Sequence, residues 1–200
     1  MDLFNNNIET NILPYEGTVI YYGKKISASE AAKYFSVLME TIEWKNDEAI
    51  IFGKHIITKR KVAWYGDANF VYTYSNIEKQ ALSWTKQLLE LKELAENITG
   101  EKYNSCLLNL YHNGSEGMAW HSDDEKALAA NGSIASFSFG AERNFLFRNK
   151  KNKQSVSVFL EAGSLLEMKD DTQKNWLHRL PPATKVKGAR INLTFRKMLQ

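Results

Sequence analysis

The sequence predicts a mainly β protein, a sandwich or jelly roll with a helical flank, on three observations. After Gly100, short apolar runs at 105–111, 133–139, 144–147, 155–160, 164–168 and 190–195 are separated by polar turns. Six strands spaced in this way suit a sandwich or jelly roll. Before Gly100, two stretches carry apolar residues at helical intervals instead. The 12% aromatic share fits a β-rich core.

Taken in order, residues 1–12 are polar and Asn-rich and are expected as a loose arm, with a short strand at 18–22. Ser27-Ala28-Ser29-Glu30 has capping-box spacing, and Ala31, Tyr34, Phe35, Leu38, Met39 and Ile42 then recur as on one helix face. Residues 49–74 lean to strand, with Gly53 and Gly66 as punctuation and basic residues near the tip. A second helix is expected over 77–97, on the stripe Ile77, Ala81, Trp84, Leu88, Leu91 and Ala95, with Gly100 as its stop signal. With no repeats, low-complexity tract or long linker, residues 13–200 read as one domain.

The 200 residues are 44% hydrophobic and 24% charged, as in an ordinary globular chain. A net charge of +3 permits a nucleic-acid partner without identifying one. Its distribution says more: Lys54, His55, Lys59, Arg60 and Lys61 form one basic cluster, and Arg148, Lys150, Lys151 and Lys153 a second. Cys106, the single cysteine, excludes an intrachain disulfide and sits in an apolar run, where a buried thiol is expected. The N-terminus lacks the pattern of a signal peptide, and no apolar run approaches the ~18 residues of a membrane span. A soluble, monomeric, cytoplasmic protein is expected, at the nucleoid in a bacterium or in the nucleus of a eukaryote.

The chemistry starts from Trp120-His121-Ser122-Asp123-Asp124-Glu125, where a histidine and three carboxylates crowd together. On a strand, His121 and Asp123 share one face and reach one ion. A third ligand that is histidine completes a two-His-one-carboxylate triad, the arrangement of non-haem Fe(II) sites. His55 lies in the basic hairpin and His112 beside the turn Asn113-Gly114, while His178 falls late in the β-core. Downstream, Arg190-Ile191-Asn192-Leu193-Thr194-Phe195-Arg196 alternates strictly between polar and apolar. Two arginines on a pocket-lining strand face need anionic partners, and their planar forks suit a dicarboxylate beside the metal.

These stretches, with 109–114, 136–147, 163–168 and the segment 52–75, resemble the AlkB family of Fe(II)- and 2-oxoglutarate-dependent dioxygenases, over roughly residues 13–198. The likeness is to the DNA-repair branch nearest the animal nuclear enzymes. It implies a double-stranded β-helix (jelly-roll) core over about 103–198, with an N-terminal nucleotide-recognition lid over about 45–76. It makes His121, Asp123 and His178 the iron ligands. Arg196 is expected on the distal carboxylate of 2-oxoglutarate, with Asn109 and Tyr111 bonding the co-substrate. Arg190 is expected near the metal-bound end and against Asp123, with Asn192 and Thr194 lining the same wall.

The implied reaction uses Fe(II), 2-oxoglutarate and O2 to hydroxylate an N-methyl group, after which formaldehyde leaves and the base is restored. The implied partner is alkylated DNA, or RNA, in single- or double-stranded form, carrying 1-methyladenine or 3-methylcytosine. Such a base is flipped out or met in a single strand. Tyr74 is expected to stack on it, with Tyr72 at the base or adjoining phosphate and Asp124 and Glu125 at its exocyclic amine. Phe52 is expected as a wedge, Arg60 and Lys61 at phosphates, and Arg143 at the flipped nucleotide. The alternatives are the same iron chemistry on RNA or a protein side chain, and a non-catalytic metal-binding jelly roll.

Overall fold

A computed structural model describes residues 10–51, 54–67, 71–74, 77–125 and 127–199, with side chains described outside 49–56 and 71–79. The first half runs β1 (Thr18–Lys24), α1 (Ala28–Thr41), β2 (Lys45–Ile51), β3 (Lys54–Gly66), β4 (Val71–Tyr74), β5 (Ile77–Gln80), β6 (Leu82–Ser83) and α2 (Lys86–Thr99). Then come β7 (Ser105–Tyr111), β8 (Met118–His121), β9 (Ile134–Gly140), β10 (Arg143–Asn149), β11 (Ser155–Leu160) and β12 (Ser164–Lys169). The chain closes with α3 (Thr172–Asn175), β13 (Trp176–Leu180) and β14 (Arg190–Arg196). The chain is mainly β, as the spacing of its apolar runs predicts.

Two sheets form the core. The larger has the order β1-β12-β9-β14-β7-β3-β2, with β6 on β3; the smaller has the order β11-β10-β13-β8. Strand alternation gives the larger sheet two unlike faces. Cys106, Leu108, Phe137, Leu193 and Phe195 are buried on the face that packs with Leu38 of α1 and Leu88 and Leu91 of α2. The opposite face presents Asn109, Tyr111, Ser136, Arg190, Asn192, Thr194 and Arg196 to the smaller sheet. A second apolar cluster, including Leu13, Val19, Phe147, Leu166 and Trp176, closes one end between the sheets. Cys106 is fully buried, which drives its thiol far above the usual range and leaves it inert.

Both helices are capped where the sequence signals it. Ser27 Oγ accepts from Glu30 N, the N-cap half of a capping box, while donating to Glu30 Oε2, and Gly100 ends α2 in the left-handed region. The second helix is shorter than its stripe implies. Residues 77–80 pair with β4, and Thr85, whose Oγ1 accepts from Leu88 N at 3.3 Å, starts α2 at Lys86. The cap overrides the apolar periodicity that Ile77, Ala81 and Trp84 extend in the sequence. At the N-terminus, residues 1–9 of the expected arm lie outside the described residues, whereas Asn11 is held to β1, its Oδ1 accepting from Val19 N at 2.8 Å. No helix among the described residues is long and apolar enough to cross a membrane.

Gly140 ends β9 at φ +77°, where a Cβ would strike Ala189 O and stand 2.6 Å from Phe35 Cε2. Gly140→Ala therefore combines left-handed strain of about 1–2 kcal/mol with a steric clash. A melting temperature within 1–2 °C of wild type would show that this corner relaxes freely.

Candidate active site

His121 ends β8, and its Cα partner across the sheet is His178 of β13. The two rings lie edge to face, centroids 4.2 Å apart. Asp123 follows two residues after His121, past the end of the strand rather than on it. Its Oδ1 is 3.8 Å from His121 Nε2 and 3.9 Å from His178 Nε2, so one ion can bridge all three donors. His121 Nδ1 bonds the carbonyl of Ala119 at 2.8 Å, which places the ring proton there and leaves Nε2 as the ligating atom.

Electrostatics prepare these donors. Burial pushes His178 down to about 3, so its imidazole is neutral at physiological pH. Burial alone would raise Asp123, but Arg196 and then the two imidazoles outweigh it and hold the carboxylate below its usual range. Two imidazole nitrogens with an ionised carboxylate form a donor set for a divalent first-row metal.

A cavity of about 620 Å³ lies between the sheets and opens beside these ligands. Asn109 and Tyr111 of β7 and Arg190, Asn192, Thr194 and Arg196 of β14 line it together, as the alternation predicts. The ends of the arginine pair are the reverse of expectation. Arg196, not Arg190, reaches Asp123, with Nη2 donating to Oδ2 at 2.8 Å. Six residues of strand separate the two by roughly 20 Å, so only one can reach the ligands. Arg190 lies at the far end, 5.8 Å from the Tyr111 ring centroid, and donates from Nη2 to Ser138 Oγ at 2.9 Å.

The orphaned atoms show what the cavity suits. Arg190 Nε, Arg196 Nε and the Asn109 carboxamide oxygen are buried without a partner. Arg190 has no carboxylate partner among the described residues, and burial pushes it down to about 10. Arg196 is held above its usual range, because Asp123 and Glu125 outweigh the opposing effect of burial. A dicarboxylate chelating at the Arg196 end and reaching toward Arg190 would satisfy the two guanidinium donors, so the residues fit 2-oxoglutarate beside a metal.

The sequence profile of the 2OG-Fe(II) oxygenase superfamily matches residues 18–196. The chain is 36% identical over 195 residues to the human DNA oxidative demethylase ALKBH2, covering 92% of this chain and 75% of that one. It therefore belongs to the AlkB family. The cattle alpha-ketoglutarate-dependent dioxygenase alkB homolog 3 is 38% identical over 181 residues, covering 86% of this chain and 63% of that one. The solved structure of OsALKBH1 superposes with a TM-score of 0.62 at 14% identity, covering 90% of this chain and 97% of that chain, which shows the shared jelly-roll fold. As a member of the superfamily the protein is a dioxygenase that uses Fe(II), 2-oxoglutarate and O2.

On the substrate side, several expectations change in this AlkB-family protein. Arg60 is not a surface phosphate grip: it is 9% exposed, faces the cavity and is ion-paired with Asp47. Lys61 alternates to the other face of β3, away from the cavity lining. Arg143 is 2% exposed and donates to the carbonyls of Glu116 (3.0 Å) and Pro181 (2.6 Å), so it ties two rim loops together rather than gripping a nucleotide. A fully buried β10 position leaves it no outward path.

Asp124 and Glu125 part company. Asp124 is exposed and accepts from Ser122 Oγ at 3.0 Å, while Glu125 is half-buried, with Oε1 3.9 Å from Arg196 Nη1. Burial raises the Glu125 carboxyl, with Arg196 opposing and Asp123 reinforcing the rise. Phe52 lies outside the described residues, as do the side chains of Tyr72 and Tyr74, although their strand β4 is paired with β5.

In the second basic cluster, Lys150 Nζ donates to Ser122 Oγ and to the carbonyl of Gln173, and Lys151 pairs with Glu16. Arg148 is different, lying 4.3 Å from the Trp120 ring centroid. Sequence reasoning missed Trp64, Met118 and Asp47 as cavity walls. Strand alternation from Arg60 would have placed Trp64 there, but Asp47 and Met118 carry no such signal.

Proposed function

We propose that this protein removes N-methyl groups from 1-methyladenine and 3-methylcytosine in DNA, a direct-reversal repair. The observation that carries the reading is one cavity lined together by the ligand cluster, by the two arginines of β14 and by Glu125. The relatives named DNA oxidative demethylase support the nucleic-acid substrate.

When bound, Fe(II) with 2-oxoglutarate and O2 supplies oxidative hydroxylation, consuming one of each co-substrate and leaving succinate and CO2. His121, Asp123 and His178 would hold the metal. Arg196 would meet the chelating end of 2-oxoglutarate while orienting Asp123, and Arg190 with Tyr111 would take the distal carboxylate. Glu125 faces the same space and favours a cationic methylated base. The hydroxymethyl product then releases formaldehyde and restores the base. Residues 45–76 serve in this reading as the nucleotide-recognition lid, with Tyr74 and Tyr72 at the base and Phe52 at the stack. In this reading Arg148 and Lys61 meet phosphates.

The test is incubation of the protein with Fe(II), ascorbate, 2-oxoglutarate and a 1-methyladenine oligonucleotide. Adenine and formaldehyde should appear in equal amounts, and His121→Ala should produce neither. Turnover of 2-oxoglutarate with methylated DNA left intact would sink the substrate claim alone, and faster turnover of RNA would move it to RNA.

A further inference from the structure

The buried pair Asp47–Arg60 lies in the cavity wall, yet the reading above gives it no task. We propose that Asp47 is a positioning residue for 2-oxoglutarate, acting through Arg60 on Tyr111. The proposal rests on the co-substrate reading above.

The local backbone is arranged for this contact. Between the aligned pairs Asn46↔Lys61 and Glu48↔Ile57, β2 has one residue, Asp47, while β3 has three, Thr58, Lys59 and Arg60. Such a bulge re-aims side chains out of the ordinary alternation. Thr58 Oγ1 donates to the carbonyl of Arg60 at 3.1 Å and closes the bulge on itself. Asp47 and Arg60 both line the cavity, both nearly excluded from water. Arg60 donates through Nη2 to Asp47 Oδ2 and through Nη1 to Met118 Sδ at 2.9 Å. Lys61 pairs with Leu110, so Arg60 stands beside Tyr111 on the neighbouring strand, and both side chains line the cavity, where Tyr111 is the other electrostatic partner of Arg60.

The chemistry gives this chain of contacts a direction. Arginine only donates, so the Tyr111 oxygen accepts from Arg60 and keeps its own proton to give away. A phenol so held is a donor for the distal carboxylate, at the end of the cavity where Arg190 waits. Asp47 fixes the guanidinium fork in that orientation and neutralises it, leaving Arg190 as the cation at that end. Stability is a weak reason for such a pair, since apolar residues of similar volume do as well or better.

The experiment titrates Mn(II)-loaded protein with 2-oxoglutarate and, separately, with oxalate, which chelates the metal but has no distal carboxylate. Asp47→Asn and Tyr111→Phe should each weaken 2-oxoglutarate by about tenfold, the scale of losses when an outer-shell partner is removed. Oxalate should stay within about twofold, and the double variant should bind 2-oxoglutarate within about twofold of Tyr111→Phe alone, because both act through one contact. Asp47→Asn overturns the proposal if it leaves 2-oxoglutarate binding unchanged, weakens oxalate equally, or multiplies with Tyr111→Phe. Failure of the wild type to bind 2-oxoglutarate would instead sink the co-substrate reading itself.

Discussion

Asp123→Ala should silence the enzyme and also destabilise it, whereas His121→Ala should silence it at little cost to the fold. Both remove a metal ligand, so demethylation should fall to background in each. Only Asp123 also neutralises a buried guanidinium, through the 2.8 Å contact with Arg196 Nη2. Removing one partner of a buried pair strands the other charge, at a cost of about 3–5 kcal/mol. The lower end is expected, because Glu125 Oε1 is only 3.9 Å from Arg196 Nη1 and can partly replace the lost carboxylate.

For a chain of this size, each kcal/mol moves the melting temperature by roughly 2–4 °C. Metal-free Asp123→Ala should therefore melt roughly 6–12 °C below wild type. His121 is half-buried and bonded mainly to a backbone carbonyl, so its loss should cost no more than about 1 kcal/mol. Equal melting temperatures for the two variants would mean that Arg196 finds another partner, and the structure would then misplace the anchor of the site.

The legible parts of this protein are those whose signal is local and periodic. The alternation of residues 190–196 assigns every side chain to its observed face, and the capping box fixes where α1 begins. His178 was legible only through resemblance, because nothing near Trp176 or Leu177 says that β13 pairs with β8 in the register that opposes the two histidines. The bulge at Asp47 was hidden for a related reason. A register shift belongs to two strands at once, and the run Lys59-Arg60-Lys61 reads as a surface patch until its partner strand turns the middle residue inward. The reversed arginines show the same limit: the sequence sets their separation, but only the position of Asp123 decides which end meets the metal.

Arg190→Met should make the ligand-free protein more stable while abolishing its affinity for 2-oxoglutarate. Arg190 is 3% exposed, faces no carboxylate among the described residues, and keeps its Nε without a partner. Its value of about 10 lies below the ordinary 12.5. The sign follows directly: a base whose folded value is depressed is held charged against the preference of the fold at every pH below about 10. By the conversion of 1.36 kcal/mol per pH unit, that penalty is on the order of 3 kcal/mol.

Loss of the bond to Ser138 Oγ offsets about 1 kcal/mol, so a net gain of about 1–2 kcal/mol is expected in the variant. Ligand reverses the order. At a hundredfold excess over Kd, 2-oxoglutarate should stabilise the metal-loaded wild type by about 2.7 kcal/mol, and Arg190→Met by nothing comparable. The melting curves should therefore cross: variant above wild type without co-substrate, wild type above variant with it. A variant that melts lower in both states would mean that Arg190 is a structural tie whose charge is already satisfied. One that still responds to 2-oxoglutarate would move the distal carboxylate away from this end of β14.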